Sequence, residues 1–270
     1  RMIKKSQVKE ETSSTKLTSK KVTIIGMGEA GGNILSSLHD KEIKEIELIA
    51  INTDTKGQLC AKAHKRLLIG TTLSQGLGTN MHPSLGREAA FESYEDIKTI
   101  LQDTDMLFLI AGLGGGTGSG ATPVIAKIAK EMGILVISIV TKPFSFEGKK
   151  RLQVAETGLT ELKKYTNSLI VIPNDNLLPI IDKSLTLSET FMTVDNTIIE
   201  LIYSIFEALY SSAGTDINLS FEDLQTVFQY KGKFTIAVSE KNGVDTLNEA
   251  IREAMKFPLC DDVDILNASC

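Results

Sequence analysis

Cysteine is nearly missing from this 270-residue chain: Cys60, Cys260 and Cys270 are odd in number and form no CxxC pair. Histidine is as scarce, with only the scattered His39, His64 and His82, so no structural zinc site is expected. Reduced thiols in a cytoplasmic protein are the natural reading. No stretch approaches the roughly 18 uncharged apolar residues that suggest a membrane span, and no signal-peptide pattern opens the chain. An excess of positive charge is also lacking, since 29 Lys and Arg face 34 Asp and Glu for a net charge of −5. Nucleic-acid affinity comes mainly from neutralised phosphates, so a general nucleic-acid binder is not expected. What is present is a globular composition, 42% hydrophobic and 23% charged, which excludes a disordered or fibrous chain. The length allows one or two domains, with a core large enough to fold without staples.

Residues 1–20 carry six Lys or Arg and two Glu without periodicity. They read as a disordered tail, with a local charge of +4 that suits a peripheral contact with an anionic membrane or an acidic partner. From Lys21 onward, apolar β-branched runs alternate with helix-period segments. Strands are expected at 22–26, 47–52, 106–112, 134–140 and 168–173, and helices at 30–40, 84–102, 120–132 and 149–164. Uninterrupted apolar strands predict a doubly wound parallel sheet covered on both faces, with ligands beyond the strands' carboxyl ends. Residues 187–210 lack Gly and Pro and read as a long central helix, with Thr186 and Glu189 at capping-box spacing and SSAG (211–214) as its stop. A helix at 221–230, a strand at 233–239, a helix at 243–256 and a strand near 263–266 complete the pattern.

Two glycine-rich loops hold the chemistry. GMGEAGGN (26–33) follows the first strand, and its Gly26, Gly28 and Gly31 fit GxGxxG. With Asp54 as a ribose acid, a nicotinamide oxidoreductase is open at this point. In the second loop six of the nine residues from Gly112 to Gly120 are glycine, after one strand and before a helix. So many glycines carry an entropic cost that backbone N–H groups wrapped around an anion would explain. A second phosphate loop does not suit a dinucleotide fold, and the absence of GxxxxGK[ST] excludes the Walker type.

GGGTGSG (114–120) resembles the signature of the tubulin/FtsZ family of GTPases. AINTDT (50–55), SQGLG (74–78), TKPFSFEGKKR (141–151), VIPNDNLL (171–178) and INLSFEDLQTV (217–227) extend the resemblance in order, in wording nearest its bacterial FtsZ branch. It implies a GTP-binding domain over 21–183, a central helix and turn over 184–214, and a catalytic loop with an incomplete C-terminal α/β part over 215–270. The implied cofactors are GTP or GDP with Mg2+, held through phosphates and water. By matching position, Gly28, Gly31, Gly32 and Asn33 form one phosphate loop. Gly114, Gly115, Gly116, Thr117, Gly118 and Ser119 form the other. Thr53 and Asp54 fall on the γ-phosphate side, Glu147 and Arg151 at ribose and phosphate, and Asn174, Phe191 and Asp195 at the base. A carboxylate there can accept from both N1–H and the 2-amino group of guanine.

The resemblance further implies head-to-tail self-assembly, with another FtsZ as an alternative partner. A loop after the central helix would reach the next subunit's nucleotide. Asn218 and Asp223 match that catalytic pattern, but Ser220 stands where the family has an aspartate, so weak hydrolysis is expected. A hydrolysis-deficient scaffold or regulator is the alternative. Glu29 and Ala30 interrupt an otherwise all-glycine loop, and GLGTNMHPSLG (76–86) lacks the family's extra glycines.

Overall fold

The computed structural model describes residues 20–41, 46–182, 184–210 and 221–229. Its strands are β1 (Val22–Met27), β2 (Ile46–Asn52), β3 (Lys65–Leu68), β4 (Met106–Gly112), β5 (Leu135–Lys142) and β6 (Ser168–Pro173). They form one sheet in the order β3-β2-β1-β4-β5-β6, with every neighbouring pair parallel. Between and after them run α1 (Gly28–Asp40), α2 (Thr55–Cys60), α3 (Thr71–Ser74), α4 (Pro83–Glu92), α5 (Tyr94–Ile100), α6 (Gly116–Glu131), α7 (Lys149–Leu162), α8 (Leu187–Tyr210) and α9 (Phe221–Gln229). Short 3-10 turns occupy Ser145–Glu147 and Asn174–Ile180.

Alternate strand residues serve two cores, because successive side chains point to opposite faces. Val22, Ile24, Met106, Phe108 and Ile110 meet Ile34, Leu35 and Leu38 of α1 and Val194, Ile198, Ile202 and Phe206 of α8. Ile25, Met27, Leu107 and Leu109 meet Ala89 and Ala90 of α4 and Ala121 to Ala129 along α6. With both faces covered, the central strands have no solvent side to keep polar, which is why they read as unbroken apolar runs. The α8 stripe at 194, 198, 202 and 206 has helical spacing, and Phe206 packs edge-on against Phe108 at 5.0 Å between centroids. Its start is closed as the spacing predicts: Thr186 N–H donates to Glu189 Oε2 at 2.7 Å, and Glu189 N–H to Thr186 Oγ1 at 3.3 Å. Among the described residues no helix is long and apolar enough to cross a membrane.

The elements differ from expectation in several places: α2 and α3 are short helices that were not expected, and α1 begins at Gly28 rather than at 30. The helix expected over 84–102 is two, α4 and α5, parted at Ser93, whose hydroxyl oxygen accepts from Gly70 N–H at 3.2 Å. The helix expected from 120 begins at Gly116, so most of the glycine run is its first turn. β3 escapes periodicity because it is a four-residue edge strand whose Lys65 and Arg66 are exposed. The elements expected at 211–214, 233–239, 243–256 and 263–266 lie outside the described residues.

Candidate functional site

The chain order reverses across β1, which has β2 on one side and β4 on the other. At such a switch point the loops leaving adjacent strands diverge to opposite faces and open a crevice. Here α1 starts directly after β1, at Gly28, and α6 starts four residues after β4, at Gly116. Both helix N-termini therefore flank one crevice. Their unpaired N–H groups and dipoles favour an anion there.

The crevice is a cavity of about 510 Å³. Its lining includes Gly28, Asn33, Gly115, Gly116, Thr117, Gly118, Glu147, Arg151, Asn174, Phe191 and Asp195, so eleven residues expected from separate segments come together. Gly31, Gly32, Gly114, Ser119, Thr53 and Asp54 do not line it. A Cβ on Gly31 would lie 2.7 Å from the Ile110 carbonyl oxygen, so this glycine allows α1 to close on the sheet. One on Gly32 would lie 3.2 Å from Ala61 Cβ. Ser119 accepts from Gly114 N–H at 2.8 Å and ties the loop to α6. Asp54 caps α2, accepting from Gly57 N–H at 2.6 Å. The Thr53 hydroxyl is fully buried, 2.6 Å from that of Thr117.

Not all of the glycine run faces the cavity. A Cβ on Gly118 would meet the Gly112 carbonyl oxygen at 2.1 Å, and one on Gly120 the Pro83 carbonyl oxygen at 2.1 Å. One on Gly116 would stand 2.2 Å from Thr79 Oγ1 and 2.9 Å from the His82 nitrogen. Gly116 and Gly120 let α4 and the preceding loop close on α6, and Gly118 lets α6 close on the end of β4; Gly116 and Gly118 line the cavity as well, so composition does not separate this reason for glycine from anion binding. Gly115 differs: nothing lies within 4 Å of its Cβ position, and it borders open cavity.

At one end of the cavity α8 presents Ser188, Phe191 and Asp195, which share a helix face, with Asn174 beside them. Phe191 is held edge-on by the buried Phe144 at 5.4 Å, and Phe146 stacks on Phe144 at 4.8 Å. Asn174 is buried, and its Oδ1 has no hydrogen-bond partner. Burial pushes the Asp195 carboxyl up to about 6. Two acceptors thus await donors at this end. Arg151 pairs with Glu147, whose other oxygen accepts from Phe144 N–H at 2.8 Å, while the buried Arg151 Nε has no partner. Glu29 is exposed, on the first turn of α1 at the cavity rim.

Sequence reasoning missed Thr79, Met81 and Ser188 as lining residues. The available signal for the first two was the glycine-poor loop before Pro83. His64 is structural, accepting from Leu48 N–H at 2.9 Å, and His82 is exposed at the N-cap position of α4 without a side-chain cap bond. Asn218 and Ser220 lie outside the described residues, and Asp223 is exposed on α9. Among the described residues no three His, Cys, Asp or Glu side chains converge as metal ligands.

Comparison with known proteins places this architecture. Residues 21–182 match the tubulin/FtsZ family GTPase domain. The cell division protein FtsZ of Buchnera aphidicola is 39% identical over 247 residues, 92% of this chain and 64% of its own. That of Coxiella burnetii is 39% identical over 258 residues, 96% of this chain and 66% of its own. The chain thus spans just under two thirds of the length of these curated relatives. A solved FtsZ dimer from M. jannaschii superposes with a TM-score of 0.83 at 38% identity, covering 91% of this chain and 71% of that one. CetZ2 from Haloferax volcanii, at 22% identity and a TM-score of 0.73, shares the fold over 87% of this chain and 73% of its own. By the matched domain, the identities and the shared architecture, the chain belongs to the tubulin/FtsZ family.

Proposed function

We propose that the protein is an FtsZ-like, guanine-nucleotide-binding cytoplasmic subunit that assembles head to tail into filaments and hydrolyses GTP slowly at the subunit interface. The observation that carries the nucleotide choice is the pair of acceptors at the α8 end, Asp195 and the unpartnered Asn174 Oδ1. Guanine offers two donors on one edge, N1–H and the 2-amino group; adenine offers only its 6-amino group there. Phe191, fixed by Phe144, supplies an apolar surface for the base. The Glu147–Arg151 pair stands where ribose and phosphate would follow, and the N-termini of α1 and α6 would take the phosphates.

Magnesium would neutralise phosphate charge, held by phosphate oxygens and water rather than by a dedicated carboxylate cage. On this reading the attacking water is polarised by Asp223 of a neighbouring subunit, with Asn218 and Ser220 in the same loop. Ser220 in place of a second carboxylate supports slow turnover, and it also favours a second reading, a GTP-binding scaffold or regulator of another FtsZ. Calorimetric titration with GDP and ADP tests the nucleotide choice. GDP should bind at least about tenfold tighter, since one bidentate pair contributes about 1–3 kcal/mol of discrimination. Equal affinities would overturn the guanine assignment.

A further inference from the structure

Of the two residues that interrupt the first glycine-rich loop, Ala30 is neutral and Glu29 puts a negative charge at the cavity wall. Glu29 stands in the first turn of α1, whose N-cap residue Met27 makes no side-chain cap bond. The helix dipole favours a carboxylate at this place. Glu29 therefore takes up part of the attraction that the α1 N-terminus would otherwise offer to a bound anion. The first turn of α6 holds no acidic residue, and its N-cap Gly115 has no side chain, so that helix end stays open.

Among the described residues four charged side chains belong to the cavity lining, Glu29, Glu147, Arg151 and Asp195, and no lysine does. Arg151 is taken by Glu147. Asp195 stands at the α8 end with Phe191 and Asn174. Asp54 accepts from Gly57 N–H at 2.6 Å and does not line the cavity. No ion pair or side-chain hydrogen bond to another described residue involves Glu29. The end of the cavity where α1 and α6 begin thus presents helix N–H groups and one uncompensated carboxylate. That a ligand belongs in this cavity has separate support in the buried Asn174 Oδ1, which has no partner among the described residues.

We propose that Glu29 makes nucleotide binding by this protein depend on a divalent cation, which its carboxylate shares with the nucleotide's phosphates. This rests on the guanine-nucleotide reading above. Phosphates and a carboxylate at one helix end repel each other, and a hard cation between them turns that repulsion into two attractions. Mg2+ suits one carboxylate of this kind, because it is commonly held by one or two carboxylates together with substrate phosphates and keeps several waters. It needs no cluster of three protein ligands, and the described residues hold none. The sign of the Glu29 contribution therefore depends on the cation: its carboxylate opposes the nucleotide when the cation is absent and helps to hold it when the cation is present.

The test is calorimetric titration of the full chain with GDP, in excess Mg2+ and in EDTA, for the wild type, Glu29→Ala and Glu29→Gln. Glu29 is exposed, so neither substitution disturbs the core. In EDTA both variants should bind GDP about 3–10-fold tighter than the wild type, the scale of a like-charge repulsion partly screened by water. In Mg2+ the order should reverse, with Glu29→Ala weaker than the wild type by about 2–5-fold. Mn2+ serves as a paramagnetic stand-in, its free fraction read by electron paramagnetic resonance. Its affinity for the protein–GDP complex should fall at least about tenfold in Glu29→Ala, since even the outer-shell partners of metal ligands contribute that much. Variants that gain the same factor with and without Mg2+ would show that Glu29 only repels phosphate. Variants that match the wild type in both conditions, or an unchanged Mn2+ affinity, would show that its carboxylate holds no cation. Each of these outcomes overturns the proposal and leaves guanine binding standing. A wild-type protein that binds GDP in neither condition would overturn both readings.

Discussion

Burial pushes the Asp195 carboxyl up to about 6 from an ordinary 3.8, and this gives the role proposed for it at the base a measurable sign. The unfolded chain ionises this group near 3.8 and the nucleotide-free fold near 6, so the fold holds the proton more tightly. The stability this contributes is complete below about pH 4 and is lost as pH rises through 6. Asp195→Asn should therefore raise the stability of the nucleotide-free protein at pH 7 by about 1–3 kcal/mol and leave it unchanged near pH 4. Thermal melts at the two pH values check this; equal gains at both would assign the effect to packing. Guanine needs the ionised form, so GDP affinity should fall below pH 6, approaching about tenfold per pH unit. In Asp195→Asn the affinity should be weak and nearly independent of pH. A residue that costs stability when empty and is satisfied when occupied is expected of a binding site.

The parallel strands were legible because burial on both faces leaves no polar alternation, and α8 was legible because its apolar stripe and its Thr186–Glu189 cap agree. Two kinds of information were not. The break at Ser93 rests on a bond to Gly70, 23 residues away, which no local window contains. The purpose of each glycine also depends on what approaches it: Gly115 borders the cavity with nothing against it, Gly116 and Gly118 line the cavity but also sit under side-chain or backbone atoms, and Gly120 sits under backbone without lining it. Thr79 and Met81 were hidden for a related reason, since their place on the wall depends on a left-handed loop that propensity disfavours. The glycine distinction can be measured. Gly120→Ala drives a methyl against Pro83 carbonyl oxygen and Arg87 nitrogen, backbone atoms with no rotamer to escape into. It should cost about 1–3 kcal/mol in denaturant unfolding. Gly115→Ala meets nothing and has an ordinary φ of −97°, so it should cost under about 1 kcal/mol yet weaken nucleotide binding by filling cavity space. Reversed ranks in the unfolding assay would show that the helix contacts at Gly120 are not what holds α4 to α6.

At the scale of the whole molecule, the cavity and the expected catalytic residues lie on different parts of the chain. The glycine-rich loops follow β1 and β4, whereas Asp223 is exposed on α9, beyond the long α8. A head-to-tail contact would bring one subunit's α9 to the next subunit's cavity, and hydrolysis would then require assembly. Phosphate release per subunit should rise with protein concentration instead of staying constant as in a self-sufficient enzyme. Asp223→Ala should abolish it, because losing a positioned base typically costs about 10²–10⁴-fold. Ser220→Asp should accelerate it by adding a carboxylate that stabilises charge building on the attacking water. The measurement is phosphate release against protein concentration for the wild type and the two variants. Turnover that is independent of concentration and unaffected by Asp223→Ala would place the catalytic group within a single subunit.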